Sequence, residues 1–301
     1  STLRIDFETR SAIDLKKVGV HVYAVHPTTD VWCAAFAFDD GPIEVWTPGS
    51  PCPPAIRAHL DAGGEIHAYN ANFERIIWRE VLGPRHGWPV PRLEQYHCTM
   101  AAALAMALPG ALEDCAAALG VASQKDMAGY RLMLQMCRPR RAKVCPGCQG
   151  SGKEWNEYPN GFEVWQSCDL CAGAGLEIVW WDEPEKIDRL AAYCRTDVET
   201  ERQIAARVLP LRPSERAVWL LDQQINDRGV GIDRPLCESF RRIVADLTAS
   251  LDAEMKRVTD YAVTACSQTA KLAAWLGGQG VPTDSVAKDA LEDLLAREER
   301  V

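Results

Sequence analysis

Ile5-Asp6-Phe7-Glu8, close to the start of a 301-residue chain, is the stretch on which the fold turns. Leu3, Ile5 and Phe7 alternate with Arg4, Asp6 and Glu8, the period of a β-strand with one apolar and one polar face. The apolar set can be buried, and Asp6 and Glu8 then project together from the other face. Two carboxylates on one strand face repel each other unless a cation lies between them. The pair therefore invites a divalent metal held through oxygen ligands. The competing reading is a solvated strand end.

Outward from this strand, residues 18–25 and 31–38 are expected as further strands, with Asp39-Asp40-Gly41 as a turn. Residues 43–46 add a short strand, 51–62 a helix and 65–69 another strand. Strands followed by helical stretches indicate an α/β fold, a mixed sheet packed by helices. The length allows one large domain or two ordinary ones. Apolar residues at 47% and charged residues at 25% are those of a soluble globular protein. No apolar run reaches the length of a membrane span, and no signal peptide is read at the N-terminus. The net charge of −9 gives no hint of nucleic-acid binding, yet it leaves open a metal-dependent nuclease, whose site needs a local acidic cluster. Eight of the twelve cysteines are scattered singly, which suits a reducing compartment.

In Tyr69-Asn70-Ala71-Asn72-Phe73-Glu74-Arg75-Ile76-Ile77-Trp78, Asn70 can cap a helix that begins just after it. Glu74 then lies in the first turns, where a negative charge is favourable on its own account. Residues 98–108 and 112–119 read as helices, the first ended by Pro109-Gly110 and the second by Gly120. Residues 125–141 carry Arg131, Arg138, Arg140 and Arg141, a cationic stretch that suits phosphates or, equally, a solvated loop.

Residues 145–175 break the pattern. Cys145-Pro146-Gly147-Cys148 and Cys168-Asp169-Leu170-Cys171 are two knuckles nineteen residues apart, the spacing of a four-thiolate zinc site. Gln149-Gly150-Ser151-Gly152 and Ala172-Gly173-Ala174-Gly175 follow as matching tails. Their glycines let the backbone fold tightly around a metal. The unit resembles the DnaJ cysteine-rich type, one Zn²⁺ in a small insertion (residues 142–178) that depends on metal for folding. Redox activity is the competing idea.

Residues 183–208 form a long amphipathic pattern, with Ile187, Leu190, Ala191, Cys194, Val198 and Ile204 at helical spacing. Tyr193 and Asp197, four apart, share one face of that helix. Pro210 and Pro213 mark a domain boundary at 208/209. Beyond it the chain is expected to be all helical, with helices at 214–226, 234–261, 267–277 and 285–297.

Taken in order, Asp6-x-Glu8, Asn70-x-x-x-Glu74 and Tyr193-x-x-x-Asp197 resemble the three motifs of the DEDDy branch of DnaQ-like 3′–5′ exonucleases. The resemblance spans residues 1–208. It implies a ribonuclease H-like fold, a mixed five-stranded sheet with flanking helices. Further on, Leu221-Asp222-x-x-Ile225-Asn226-x-Arg228-Gly229-Val230-x-Ile232-Asp233 looks like the start of the polymerase region of family A DNA polymerases. Ser267-Gln268 and Lys271-Leu272-x-x-Trp275-Leu276 extend the likeness, in particular to bacteriophage members, in which such helices lead into the thumb. The acidic motifs of the palm are not read before Val301, so residues 1–301 resemble the proofreading part of a polymerase. One position departs from the pattern: the second motif usually ends in aspartate, and here it holds Glu74.

By this resemblance Asp6 would bridge two Mg²⁺ or Mn²⁺ ions, with Glu8 and Asp197 completing one site and Glu74 holding the other, through water. Ions roughly 4 Å apart activate an attacking water and stabilise the departing 3′ oxygen. Tyr193 would orient that water, because a phenol of pKa about 10 is a poor base at neutral pH. Asn70, unless it caps its helix, and Phe73 would lie against the substrate. That substrate would be a single-stranded or frayed DNA 3′ end, held by its backbone more than its sequence. The implied setting is DNA replication in the cytoplasm of a bacterial or phage-infected cell, with the rest of a polymerase chain as partner. The alternative from another class is a silent module that keeps the fold for nucleic-acid binding or scaffolding. The presence of Asp6, Glu8, Tyr193 and Asp197 argues against it.

Overall fold

A computed structural model describes residues 1–121, 126–157, 163–171 and 173–298. Of the features above, Lys125 and Ala172 lie outside the described residues. The first compact unit runs from Ser1 to Arg228. It opens with β1 (Thr2–Arg10), α1 (Leu15–Val25), β2 (Asp30–Phe38), β3 (Glu44–Trp46), α2 (Pro54–Asp61) and β4 (Glu65–Ala68). Then follow α3 (Ala71–Ile77), the short α4 (Gly83–His86), β5 (Tyr96–Cys98), α5 (Thr99–Ala105), α6 (Leu112–Ala118) and α7 (Met127–Met136). Four short strands, β6 (Arg141–Val144), β7 (Lys153–Glu157), β8 (Glu163–Ser167) and β9 (Leu176–Val179), precede α8 (Pro184–Ala205) and α9 (Pro213–Arg228).

The main sheet is five-stranded and mixed, in the order β3-β2-β1-β4-β5. β1 is antiparallel to β2 and parallel to β4, and β4 is parallel to β5. Leu3, Ile5 and Phe7 are buried on one face with Ala34 and Phe36 of β2, against Tyr23 of α1, Ile56 of α2 and Ile76 of α3. Across from them, Cys33, Ala35 and Ala37 pack under Ala191, Cys194 and Val198 of α8. The strand's two-residue period thus sorts its side chains: apolar toward α1–α3, acidic toward α8. Register slips after Glu8, which faces Cys33 while Thr9 faces Val31, so Trp32 is an extra residue on β2. Such a bulge twists the strand where the acidic pair ends.

An aromatic cluster fixes α3. Trp78, fully buried, stands edge-on to Phe7, Trp88 and Tyr96 at 5.9, 5.2 and 6.3 Å between ring centroids. Pairs of this kind add about 0.5–1.5 kcal/mol each beyond burial, which anchors the helix that carries Glu74.

Two expectations are corrected. Residues 18–25 are helical, not a strand: the alternating valines are overruled by Asp14, whose side chain caps α1 by accepting from Lys16 N at 2.9 Å. Gly19, at φ +75°, kinks the helix so that Val18, Val20 and Tyr23 all reach the core. The fifth strand is instead β5, Tyr96–Cys98, a stretch too short to show a period. Secondly, the compact unit extends past 208. Arg75 of α3 is buried and holds Asp227 of α9 through two hydrogen bonds of 2.7 and 2.9 Å, and Trp219 packs on the core. The boundary falls after Arg228, where Gly229 takes φ +66°.

The second unit, Gly229–Val301, holds α10 (Arg234–Val258), α11 (Thr269–Gly278) and α12 (Lys288–Glu298) among the described residues. No helix of the described residues is long and apolar enough to cross a membrane.

Candidate active site and metal centres

Arg4, Asp6 and Glu8 alternate along one face of β1, and α8 lies across that face. The helix presents Tyr193, Cys194, Asp197 and Glu201 on successive turns toward the strand. Glu8 and Glu74 are 7% and 4% exposed, so both are acids held in the interior. One ligand atom each of Asp6, Glu8 and Cys194 lies within 4.8 Å of the others. Among the predicted residues, Asp6, Glu8, Glu74, Tyr193 and Asp197 are brought together.

The electrostatics of this cluster are those of an acidic site short of cations. Burial pushes the Asp6 carboxyl up to about 6; the Cys194 thiol opposes the shift and Glu201 adds to it. Asp197 rises to about 8, through burial first and Asp6 second, with Tyr193 opposing. Glu8 is raised well above the usual carboxylate range by burial, then by Asp6, Cys33 and Asp197. Glu74 rises likewise through burial and then the charges of Asp6 and Glu201. The Tyr193 hydroxyl is pushed up by burial and by Asp197, Glu8 and Asp6, so it keeps its proton at neutral pH.

Oε2 of Glu74 is buried and has no hydrogen-bond partner. A buried carboxylate oxygen without a donor is costly and calls for a cation. Four carboxylates that destabilise one another, one with an orphaned oxygen, fit a divalent metal that takes oxygen ligands.

Four residues that the sequence did not single out as site residues, Cys194, Arg4, Glu201 and Thr99, support the cluster. The Cys194 thiol donates to Asp6 Oδ2 at 3.2 Å and lies 3.4 Å from the Asp6 carbonyl, tying α8 to β1. Arg4 pairs with both oxygens of the buried Glu201 at 2.9 and 2.8 Å, and the Thr99 hydroxyl also donates to Glu201. Glu201 is therefore neutralised and braces the helix. The signal was available: Cys194 adjoins Tyr193, Glu201 is one turn past Asp197, and Arg4 shares the face of Asp6. Nothing in a sequence, however, states which strand face meets which helix.

Tyr193 and Asp197 line a cavity of ≈210 Å³ with Leu112 and Glu113 of α6 and Thr196. Gly129 of α7 leaves no room beside the tyrosine ring: a Cβ there would come 2.5 Å from Tyr193 Cδ2. Asn70 is exposed at the start of α3, where its side chain makes no capping bond; its carbonyl instead accepts from Phe73 N at 2.8 Å. The capping reading of Asn70 is thus corrected. Phe73 is half-buried against the main core. In the cationic stretch, α7 replaces the expected loop. Arg138 reaches Asp14 at 3.4 Å and Arg140 reaches Glu183 at 3.1 Å.

The cysteine unit forms a second centre. β6 pairs with β9 and β7 with β8, which sets the two knuckles face to face. The four sulfurs lie within 4.8 Å of one another, with Cys145–Cys168 at 4.0 Å and Cys148–Cys171 at 3.6 Å. Zn–S bonds of about 2.3 Å place the sulfurs of a tetrahedron roughly 3.8 Å apart, and a disulfide would need about 2.05 Å. Gly152 N and Gly175 N each donate to a sulfur, Cys148 and Cys171, at 3.3 Å. Both glycines have φ +70°, and a Cβ on either would meet a carbonyl oxygen at 2.3 or 2.5 Å. Glycine is required at both positions.

No protein-family model matches the chain. A DNA polymerase of Bacillus phage SP02 is 33% identical to it over an alignment of 303 positions, which covers 98% of this chain and 41% of that polymerase. The chain is thus similar along almost its whole length to part of a phage DNA polymerase, and spans about two fifths of that relative.

Proposed function

We propose that this chain acts as the metal-dependent 3′–5′ exonuclease part of a family A, phage-type DNA polymerase, removing nucleotides from DNA 3′ ends. The observation that carries the reading is the buried acidic group: Asp6 and Glu8 on the α8-facing side of β1, with Asp197 of α8 and Glu74 of α3 each feeling the charge of Asp6 and the Glu74 oxygen left without a donor. The similarity to a phage polymerase supplies the setting, and the mixed sheet with α8 across it suits a ribonuclease H-like domain.

Asp6, Glu8, Glu74 and Asp197 would hold two Mg²⁺ or Mn²⁺ ions. Bound there, such ions supply an activated water and stabilise the charge on the leaving 3′ oxygen. Tyr193 keeps its proton, so it acts as a hydrogen-bond donor that positions the water and not as the base. Cys194 holds Asp6 in place, and the Arg4–Glu201 pair keeps α8 seated against β1. A frayed or single-stranded 3′ end would approach by the cavity beside Tyr193 and Asp197. Cys145, Cys148, Cys168 and Cys171 would hold one structural Zn²⁺, with four thiolates leaving no position for water. Residues 209–301 would belong to the start of the polymerase region.

The test is the fate of a single-stranded oligonucleotide labelled at its 5′ end. Mg²⁺-dependent shortening, one nucleotide at a time from the 3′ end, is expected. DNA bound but left intact in Mg²⁺ and in Mn²⁺ would replace this reading with that of a silent binding module.

A further inference from the structure

Gly129 lies buried in the first turn of α7, and its backbone gives no reason for a glycine, since its φ is not positive. In a helix, glycine costs about 0.5–1 kcal/mol relative to alanine. What it supplies here is space. A Cβ at this position would come 2.5 Å from Tyr193 Cδ2 and 2.5 Å from Asp126 Oδ2. Non-bonded carbons rest about 3.5–4.0 Å apart, so a methyl group would have to displace one of its neighbours.

The surroundings decide which neighbour yields. The far end of α7 cannot back away, because Met136 is fully buried and its carbonyl accepts from Trp32 Nε1 at 2.9 Å. The next carbonyl, of Cys137, accepts from Ser11 N at 3.0 Å. The near end is held by Asp126, whose Oδ1 accepts from Gly129 N at 2.8 Å and whose Oδ2 pairs with Arg189 of α8. Arg189 precedes Tyr193 by one turn, so this clasp and the ring lie along the same side of α8. Both Asp126 oxygens are engaged, which leaves the tyrosine ring to move. We propose that Gly129 is a positioning residue for Tyr193: the space it leaves at the start of α7 sets where the tyrosine hydroxyl stands beside Asp197. The Asp126–Arg189 pair keeps α7 and α8 in the register that this requires. The inference rests on the exonuclease reading, in which that hydroxyl positions the attacking water.

Steady-state shortening of a 5′-labelled single strand in Mg²⁺ tests it, in wild type, Gly129→Ala, Tyr193→Phe and the double variant, each shown to be folded. Gly129→Ala is expected to lower kcat by about tenfold to 10²-fold, the scale of a misplaced group, and to leave KM unchanged. In the Tyr193→Phe background, where there is no hydroxyl to misplace, the same change should cost almost nothing. A merely structural effect would persist there. If Gly129→Ala does not fold, Arg189→Gln replaces it, a change at a side chain 42% exposed that opens the clasp. Its fall in kcat should likewise vanish without the hydroxyl. A kcat near that of the wild type in the folded variant, or an equal loss in both backgrounds, would overturn the role of Gly129 and leave the exonuclease reading standing. A wild-type chain inactive in both Mg²⁺ and Mn²⁺ would overturn the two together.

Discussion

Glu74 is the residue at which the site departs from its expected pattern, and it shows what one methylene can do. Its carboxyl is 4% exposed and feels the charge of Asp6, so the longer side chain still reaches the cluster from α3. If it is a working ligand, Glu74→Gln loses Mg²⁺-dependent release of nucleotides while Glu74→Asp keeps or improves it. Equal rates in all three proteins would remove Glu74 from the site. Asp6, Glu8, Tyr193 and Asp197 were legible because each follows from a period, two for a strand and 3.6 for a helix. Cys194 and Glu201 were not, because their roles depend on which faces meet. Of the two readings of Asn70, capping was allowed by residue type, but the side chain makes no capping bond.

At the scale of elements, β1 and α8 carry the argument, and both were read close to their observed bounds. The helix Leu15–Val25 was mistaken for a strand because alternating valines mimic a two-residue period, and only the Asp14 cap and the Gly19 kink reveal the helix. α9 was assigned beyond the boundary because prolines are local signals, while its attachment through Arg75 and Asp227 spans 152 positions. The cysteine unit was the most legible of all, since its ligands recur at fixed short spacings. It leads to a prediction at this scale. Elemental analysis should find about one zinc per chain, as four thiolates require. Replacing residues 145–175 by a short Gly/Ser linker should spare Mg²⁺-dependent hydrolysis of short single strands. A linker variant that is folded by circular dichroism yet turns over no substrate would show that the knuckles serve the chemistry.

For the whole molecule, the acidic cluster makes stability depend on pH and metal together. An acid whose folded pKa lies above its unfolded value holds its proton more tightly when folded. The folded state is then favoured most below the unfolded value and loses stability as pH rises toward the folded one. For Asp6 that interval runs from 3.8 to about 6, and for Asp197 from 3.8 to about 8. In chelator, the Tm of the unit that contains the cluster should fall as pH rises from about 5 to about 8. Mg²⁺ should raise it more at the upper end, where the carboxylates are ionised and unpaired. A response to Mg²⁺ that is equal at both ends contradicts the charge assigned to the cluster. The central claim is that these carboxylates hold the metal that cuts DNA, and one comparison tests it most directly. Shortening of a 5′-labelled single strand in Mg²⁺ is measured for the wild type and for Asp6→Ala, each shown to be folded. The account predicts loss of several orders of magnitude in rate for Asp6→Ala, as removal of a shared ligand implies. Digestion by folded Asp6→Ala at close to the wild-type rate would contradict it.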